Sequence, residues 1–147
     1  MFSVNKKAIL PYLPIEMFDL VNDVGAYQEF LPWCDGTTID FETPTEMQAS
    51  IVVKRAGIVK SLTTRNTLDR PHTIALHLID GPFTSFEGLW KFIDIENQAC
   101  EISLKINFDI ASLLAKKMLT PIFGEICRSM LQNFIDRAEK VYGKRKL

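Results

Sequence analysis

Histidine and cysteine are scarce in this chain, and neither is arranged for chemistry. Only two histidines, His72 and His77, and three cysteines, Cys34, Cys100 and Cys127, occur among the 147 residues. There is no CxxC pair, and no His, Cys, Asp or Glu set has a metal-ligand spacing. An odd cysteine set of this kind fits a reduced, intracellular protein better than a disulfide scaffold. Phosphate-cradling, dinucleotide-binding and nucleophile-elbow motifs are absent as well. No apolar run reaches the roughly 20 residues that span a bilayer. Met1 to Lys7 also lacks the apolar stretch of a secretory leader. The expectation is a chain that binds rather than catalyses, with no metal and no required cofactor.

What is present is an ordinary globular balance. Hydrophobic residues make up 47% and charged residues 24%, so a core large enough to fold without staples is available. The length suits one domain covering residues 1–147. Net charge is −1, but its distribution is uneven. Residues 1–110 carry 9 Lys/Arg against 15 Asp/Glu, whereas residues 111–147 carry 8 against 3. A basic C-terminal segment on an acidic body suits an anionic partner, RNA or a membrane surface, or is simply a solvated helix face.

The pattern along the chain predicts an α+β domain. Phe2, Val4, Ala8 and Leu10 suggest an opening strand, stopped by Pro11 and Pro14. Helical spacing then runs from Ile15 to about Val24, with a second short helix over Ala26–Leu31. Strands are expected at Thr37–Glu42, Glu46–Ala56, Ile58–Asp69, Thr73–Asp80, Phe86–Ile95 and Cys100–Ile110, with short connections that favour an antiparallel meander. In the last of these, Cys100, Ile102, Leu104, Ile106, Phe108 and Ile110 alternate with polar residues, so one sheet face is buried. Its cover is a C-terminal helix with Leu119, Ile122, Phe123, Ile126, Met130, Phe134, Ala138 and Val141 at steps of three and four. Thr120-Pro121 either starts a new helix there or kinks a continuous one.

Several strings resemble the coenzyme Q-binding branch of the START-like superfamily. They are Phe18-Asp19-Leu20-Val21-Asn22-Asp23-Val24, Glu29-Phe30-Leu31-Pro32-Trp33-Cys34, Thr63-Thr64-Arg65-Asn66, Asp80-Gly81-Pro82-Phe83, Gly88-Leu89-Trp90 and Arg137-Ala138-Glu139-Lys140-Val141-Tyr142. The similarity spans nearly the whole chain. It implies a helix-grip (START-like) fold: a curved antiparallel sheet wrapped around a long C-terminal helix, with a hydrophobic cavity. Eukaryotic members bind ubiquinone and support respiration. Bacterial members act as toxins that bind the large ribosomal subunit and block its joining to the small one. The partners implied are therefore the large ribosomal subunit, a prenyl quinone or other lipid, and a small antitoxin-like protein, but not DNA. The expected location is the cytoplasm, with peripheral contact at the inner membrane.

Two sets of site residues follow. An apolar ligand would meet Phe30, Leu31, Trp33, Leu78, Phe86, Trp90, Phe123, Ile126 and Met130. Arg65 and Asn66 are candidates for a polar head group, and Phe83 or Trp33 for stacking on a ring. For a ribosomal partner the candidates are Lys116, Lys117, Arg128 and Lys140, which would contact phosphate without reading bases. Asp80, beside Gly81-Pro82, reads as a turn cap rather than a catalyst.

Overall fold

The computed structural model describes residues 1–147. Seven strands form a single antiparallel sheet: β1 Phe2–Leu10, β2 Cys34–Glu42, β3 Glu46–Arg55, β4 Ile58–Asp69, β5 Thr73–Asp80, β6 Ser85–Ile95 and β7 Ala99–Asp109. Their spatial order is β1-β7-β6-β5-β4-β3-β2, so the meander β2 to β7 is sequential and β1 adds to its far edge. Between β1 and β2 lie α1, Pro14–Asn22, and a 3-10 helix, Val24–Glu29. The chain ends in α2, Leu113–Tyr142.

Local chemistry accounts for these boundaries. Pro14 opens α1, where a missing N–H costs nothing, and the Leu13 amide donates to Glu16 Oε1 at 2.9 Å. The β3–β4 hairpin turns at Ala56 and Gly57, both at positive φ, the backbone a tight two-residue hairpin requires. Glu96 and Asn97 turn β6 into β7 with the same sign of φ. Ser112 caps α2 by accepting the Ala115 amide at 3.0 Å. No new helix begins at Thr120: α2 runs unbroken through Pro121, which supplies no N–H to the Lys117 carbonyl.

The period-2 pattern of the strands puts one face of the curved sheet against α2. In β7, Cys100, Ile102, Leu104, Ile106 and Phe108 are buried, as their alternation predicts. In β6, Phe86, Gly88, Trp90 and Phe92 share that inner face. Gly88 has a specific reason to lack a side chain: a Cβ there would lie 2.8 Å from Leu76 Cδ1 on the paired strand. α2 contributes Leu119, Phe123, Ile126, Cys127, Leu131, Phe134 and Ala138 to the same core. Rings pack edge to face across the interface, with Phe134 against Trp90 at 5.3 Å and Phe123 against Phe83 at 4.9 Å.

Candidate functional site

The sheet and helix do not meet everywhere. Between them lies a cavity of about 70 Å³, walled by α1 and the 3-10 helix, by β3 to β7, and by α2. Of its 20 lining residues 17 are hydrophobic, so the wall favours apolar contents over water. Ala49, Ile51 and Val53 come from the inner face of β3. Leu62, Thr64 and Asn66 come from β4, Ile74 and Leu76 from β5, and Phe86 and Trp90 from β6. α2 closes the space with Phe123, Ile126, Cys127 and Met130. The hollow has about half the ~150 Å³ of an engineered dry cavity that accepts benzene, so it suits a small apolar group.

The wall's polar members are few and neutral. Thr64 Oγ1 donates to Asn66 Oδ1 at 2.8 Å, a buried pair two residues apart on one strand face. Asn22 closes α1 beside the cavity, and its Oδ1 is buried with no partner. Trp33 is only 3% exposed, and its indole Nε1 is likewise buried with no partner. The Tyr27 hydroxyl donates to the Val21 carbonyl, and burial pushes its pKa up. Burial also pushes the Cys127 thiol up to about 12, so it remains protonated and unreactive near neutral pH. No group of three or more His, Cys, Asp or Glu is placed to hold a metal ion.

Seven of the ligand-contact candidates line this cavity: Trp33, Asn66, Phe86, Trp90, Phe123, Ile126 and Met130. Five do not. Arg65 faces away, because adjacent strand residues point to opposite sides, so Asn66 inward sends Arg65 outward. There its guanidinium lies over Phe41 at 5.6 Å and donates to Gln48 Oε1 at 3.0 Å. Phe83 packs among Phe86, Phe108 and Phe123 and is not part of the cavity wall. Leu31 is buried core, and Leu78 is half-buried near Gly81. Phe30 lies under Arg137, 4.8 Å from its ring centroid, in a separate surface cleft between α1 and the end of α2.

The residues that sequence reasoning missed are chiefly Asn22, Tyr27, Ala49, Leu62 and Thr64. Leu62, Thr64, Asn66 and Leu68 alternate along β4, a signal that could have found the Thr64–Asn66 pair. Nothing in the local pattern distinguished Asn22 at the end of its helix from a solvated cap.

The basic candidates on α2 do not share a face. Lys117 and Arg128 project within about 20° of each other around the axis, whereas Lys116 and Lys140 lie about 100° or more from both. Lys116 pairs with Asp109 at 3.4 Å, and Arg128 covers the Phe2 ring at 5.5 Å.

A curved antiparallel sheet gripping one long helix over an apolar hollow defines a protein of the helix-grip class. The chain belongs to the family described as polyketide cyclase / dehydrase and lipid transport, which residues 10–135 match. It is 39% identical to the ribosome association toxin RatA of Escherichia coli over 143 residues, 97% of this chain and 90% of that protein. The mitochondrial coenzyme Q-binding protein COQ10 homolog B of Xenopus laevis is 22% identical over 147 residues, covering 97% of this chain and 60% of its own length. Among solved structures, the Zhui aromatase/cyclase of a Streptomyces species has a TM-score of 0.82 at 18% identity, over 95% of this chain and 94% of that one. That last likeness is one of fold. No helix is long and apolar enough to cross a membrane.

Proposed function

We infer that this chain is a non-enzymatic, RatA-like protein that binds the large ribosomal subunit and blocks its association with the small one, inhibiting translation from the cytoplasm. The observation that carries this reading is the 39% identity to RatA, sustained over 97% of the chain. Exposed cations on α2 are the groups best suited to ribosomal RNA, through phosphate contacts that weaken steeply as salt rises. Lys117 and Arg128 are the central pair, since they alone of the four candidates project together. A small antitoxin-like protein is the matching partner for a protein of this kind.

Ribosome profiles after overproduction test the reading. Free subunits should accumulate at the expense of joined ribosomes, and an unchanged profile removes it. Purified protein should co-sediment with isolated large subunits at low salt. Lys117→Glu with Arg128→Glu should weaken that association more than Lys140→Glu does. Equal effects would move the contact surface elsewhere.

A second reading rests on a different observation, the apolar cavity. In it the chain carries or chaperones ubiquinone or a related prenyl lipid in support of respiration. Burying one isoprene unit would contribute roughly 3–4 kcal/mol before ordering costs, so even partial insertion of a tail is favourable. Native mass spectrometry of protein from its own host, without detergent, should then find a prenyl lipid bound. Persistent failure to load one would leave the ribosomal reading alone.

A further inference from the structure

Large exposed apolar side chains are scattered singly over the sheet, as at Ile9, Ile79 and Ile93, but they cluster on the first two turns of α2. Leu113 is 77% exposed, Leu114 71% and Met118 53%. Away from the chain ends, no large apolar side chain is more exposed than the two leucines. Phe2, which opens β1, packs on Gly124, where a Cβ would lie 2.9 Å from its ring. Lys116 pairs with Asp109, the last residue of β7. The turns before Thr120 therefore stand at the end of the sheet rather than across it. Leu113, Lys117, Leu114 and Met118 fall within an arc of about 140° around the axis, opposite the buried Leu119 and Phe123. Residues 110–124 contain Lys116 and Lys117 and no Asp or Glu. Arg55 donates to Glu125, on the same side of α2 and about 10 Å along it from Met118, so the β3–β4 hairpin borders this patch. That hairpin adds exposed Lys54, Val59 and Lys60. Lys54, Lys60 and Lys117 take part in no ion pair.

We propose that this end of the molecule docks on an anionic phospholipid bilayer, with Leu113, Leu114 and Met118 entering the acyl boundary and Lys54, Lys60 and Lys117 meeting headgroup phosphates. The inference goes beyond both readings above, since it needs neither a ribosomal contact nor contents in the cavity. Leucines interleaved with lysines suit an interface, because the apolar groups leave water while the lysine stems carry their charges back to it. RNA offers phosphate but no apolar phase for Leu113 and Leu114, whereas a bilayer offers both. The two acidic groups beside the patch, Asp109 and Glu125, are already paired with Lys116 and Arg55. The rest of the body is acidic, with 15 Asp/Glu against 9 Lys/Arg over residues 1–110, so an anionic surface repels it and selects this end. Leu119 is the one buried side chain between Leu113 and Thr120, so these turns can settle into the interface without opening the core.

Sedimentation of the full-length protein with phosphatidylcholine vesicles, with and without phosphatidylglycerol, tests the proposal. The anionic vesicles should bind more tightly by about fivefold for each lysine engaged, and added salt should reverse that gain. Leu114→Ser with Met118→Ser should weaken binding at least about tenfold. Ile93→Ser, at a side chain as exposed as Met118 but on the sheet, should leave it unchanged. Lys54→Gln, Lys60→Gln and Lys117→Gln together should abolish the preference for anionic vesicles. All these side chains are exposed, so the thermal melts of the variants should match that of the native chain. Absence of vesicle binding, or equal binding by the double serine variant, overturns the proposal. If that variant instead keeps its vesicle binding but no longer co-sediments with large ribosomal subunits, the patch is a ribosomal contact and the bilayer proposal is likewise wrong. Neither result alters the ribosome profile or the search for a bound prenyl lipid, so the readings above stand or fall separately.

Discussion

From Phe123 onward, α2 presses Ile126, Leu131, Phe134 and Ala138 into the sheet, whereas between Leu113 and Thr120 it buries only Leu119. The far end is also clasped. The Tyr12 hydroxyl donates to the Gly143 carbonyl at 2.7 Å, and the Tyr142 hydroxyl donates to the Glu16 carbonyl at 2.9 Å. Arg145 reaches both Glu16 oxygens, at 2.7 and 2.9 Å, and lies over the Tyr12 ring. The near end has the Ser112 cap and the Lys116–Asp109 pair, and it exposes Leu113, Leu114 and Met118. Pro121 divides the two regions by removing one helical hydrogen bond. One helix therefore combines a rigid wall for the cavity with a first segment whose unpacking exposes little new apolar surface. Local stability follows buried contacts, and here they are unequally shared.

The contrast is sharpest at single side chains. Phe134→Ala should cost about 3–5 kcal/mol in urea unfolding, because its buried ring meets Tyr27, Phe30 and Trp90. Leu114→Ala should stay within about 0.5 kcal/mol, as its side chain is exposed. Comparable losses at the two positions would abolish the distinction. Pro121→Ala should stabilise the protein by about 1–3 kcal/mol by restoring the missing bond. It should also slow amide exchange over residues 113–120, which in the native chain should be faster than over residues 123–142. Tyr12→Phe removes one clasp hydrogen bond and should cost about 1 kcal/mol in a thermal melt.

The smallest effect is electrostatic. The Arg145 guanidinium holds the Glu16 carboxyl below its ordinary value of 4.5. A lowered folded value means that the contribution is complete above the ordinary value and disappears as pH falls through the lower one. Arg145→Gln should therefore lower stability slightly near neutral pH and flatten that part of the acid limb. An unchanged acid limb would show that the ion pair adds nothing to the clasp, as exposed pairs often do not.

The meander from β2 to β7 was legible because the turn residues between its strands are distinctive and β7 alternates cleanly, whereas nothing local placed β1 beside β7. β2 begins at Cys34 rather than at the expected Thr37, because a register shift between Cys34 and Gly36 breaks the alternation there. The sequence left the path through Pro121 open. A proline can begin a helix or interrupt one, and only the packing on both sides of it selects. Trp33, Trp90 and Ile126 were recognisable as inward residues, yet Arg65 and Asn66 were paired as head-group contacts although the strand's own period sends them to opposite faces. The basic residues of α2 could be counted in the sequence. Their angular spread, and the neighbours that engage Lys116 and Arg128, required the helix and sheet together.

The sequence by itself determined the inward alternation of β7 and the turns that separate β3 to β7, because side-chain period and turn chemistry act over a few neighbouring residues. Only the tertiary structure decided where space is left unfilled. That hollow lies among residues as distant in the chain as Asn22, Asn66 and Ile126. A void is a shortfall of volume shared by all its walls, and no local pattern records it.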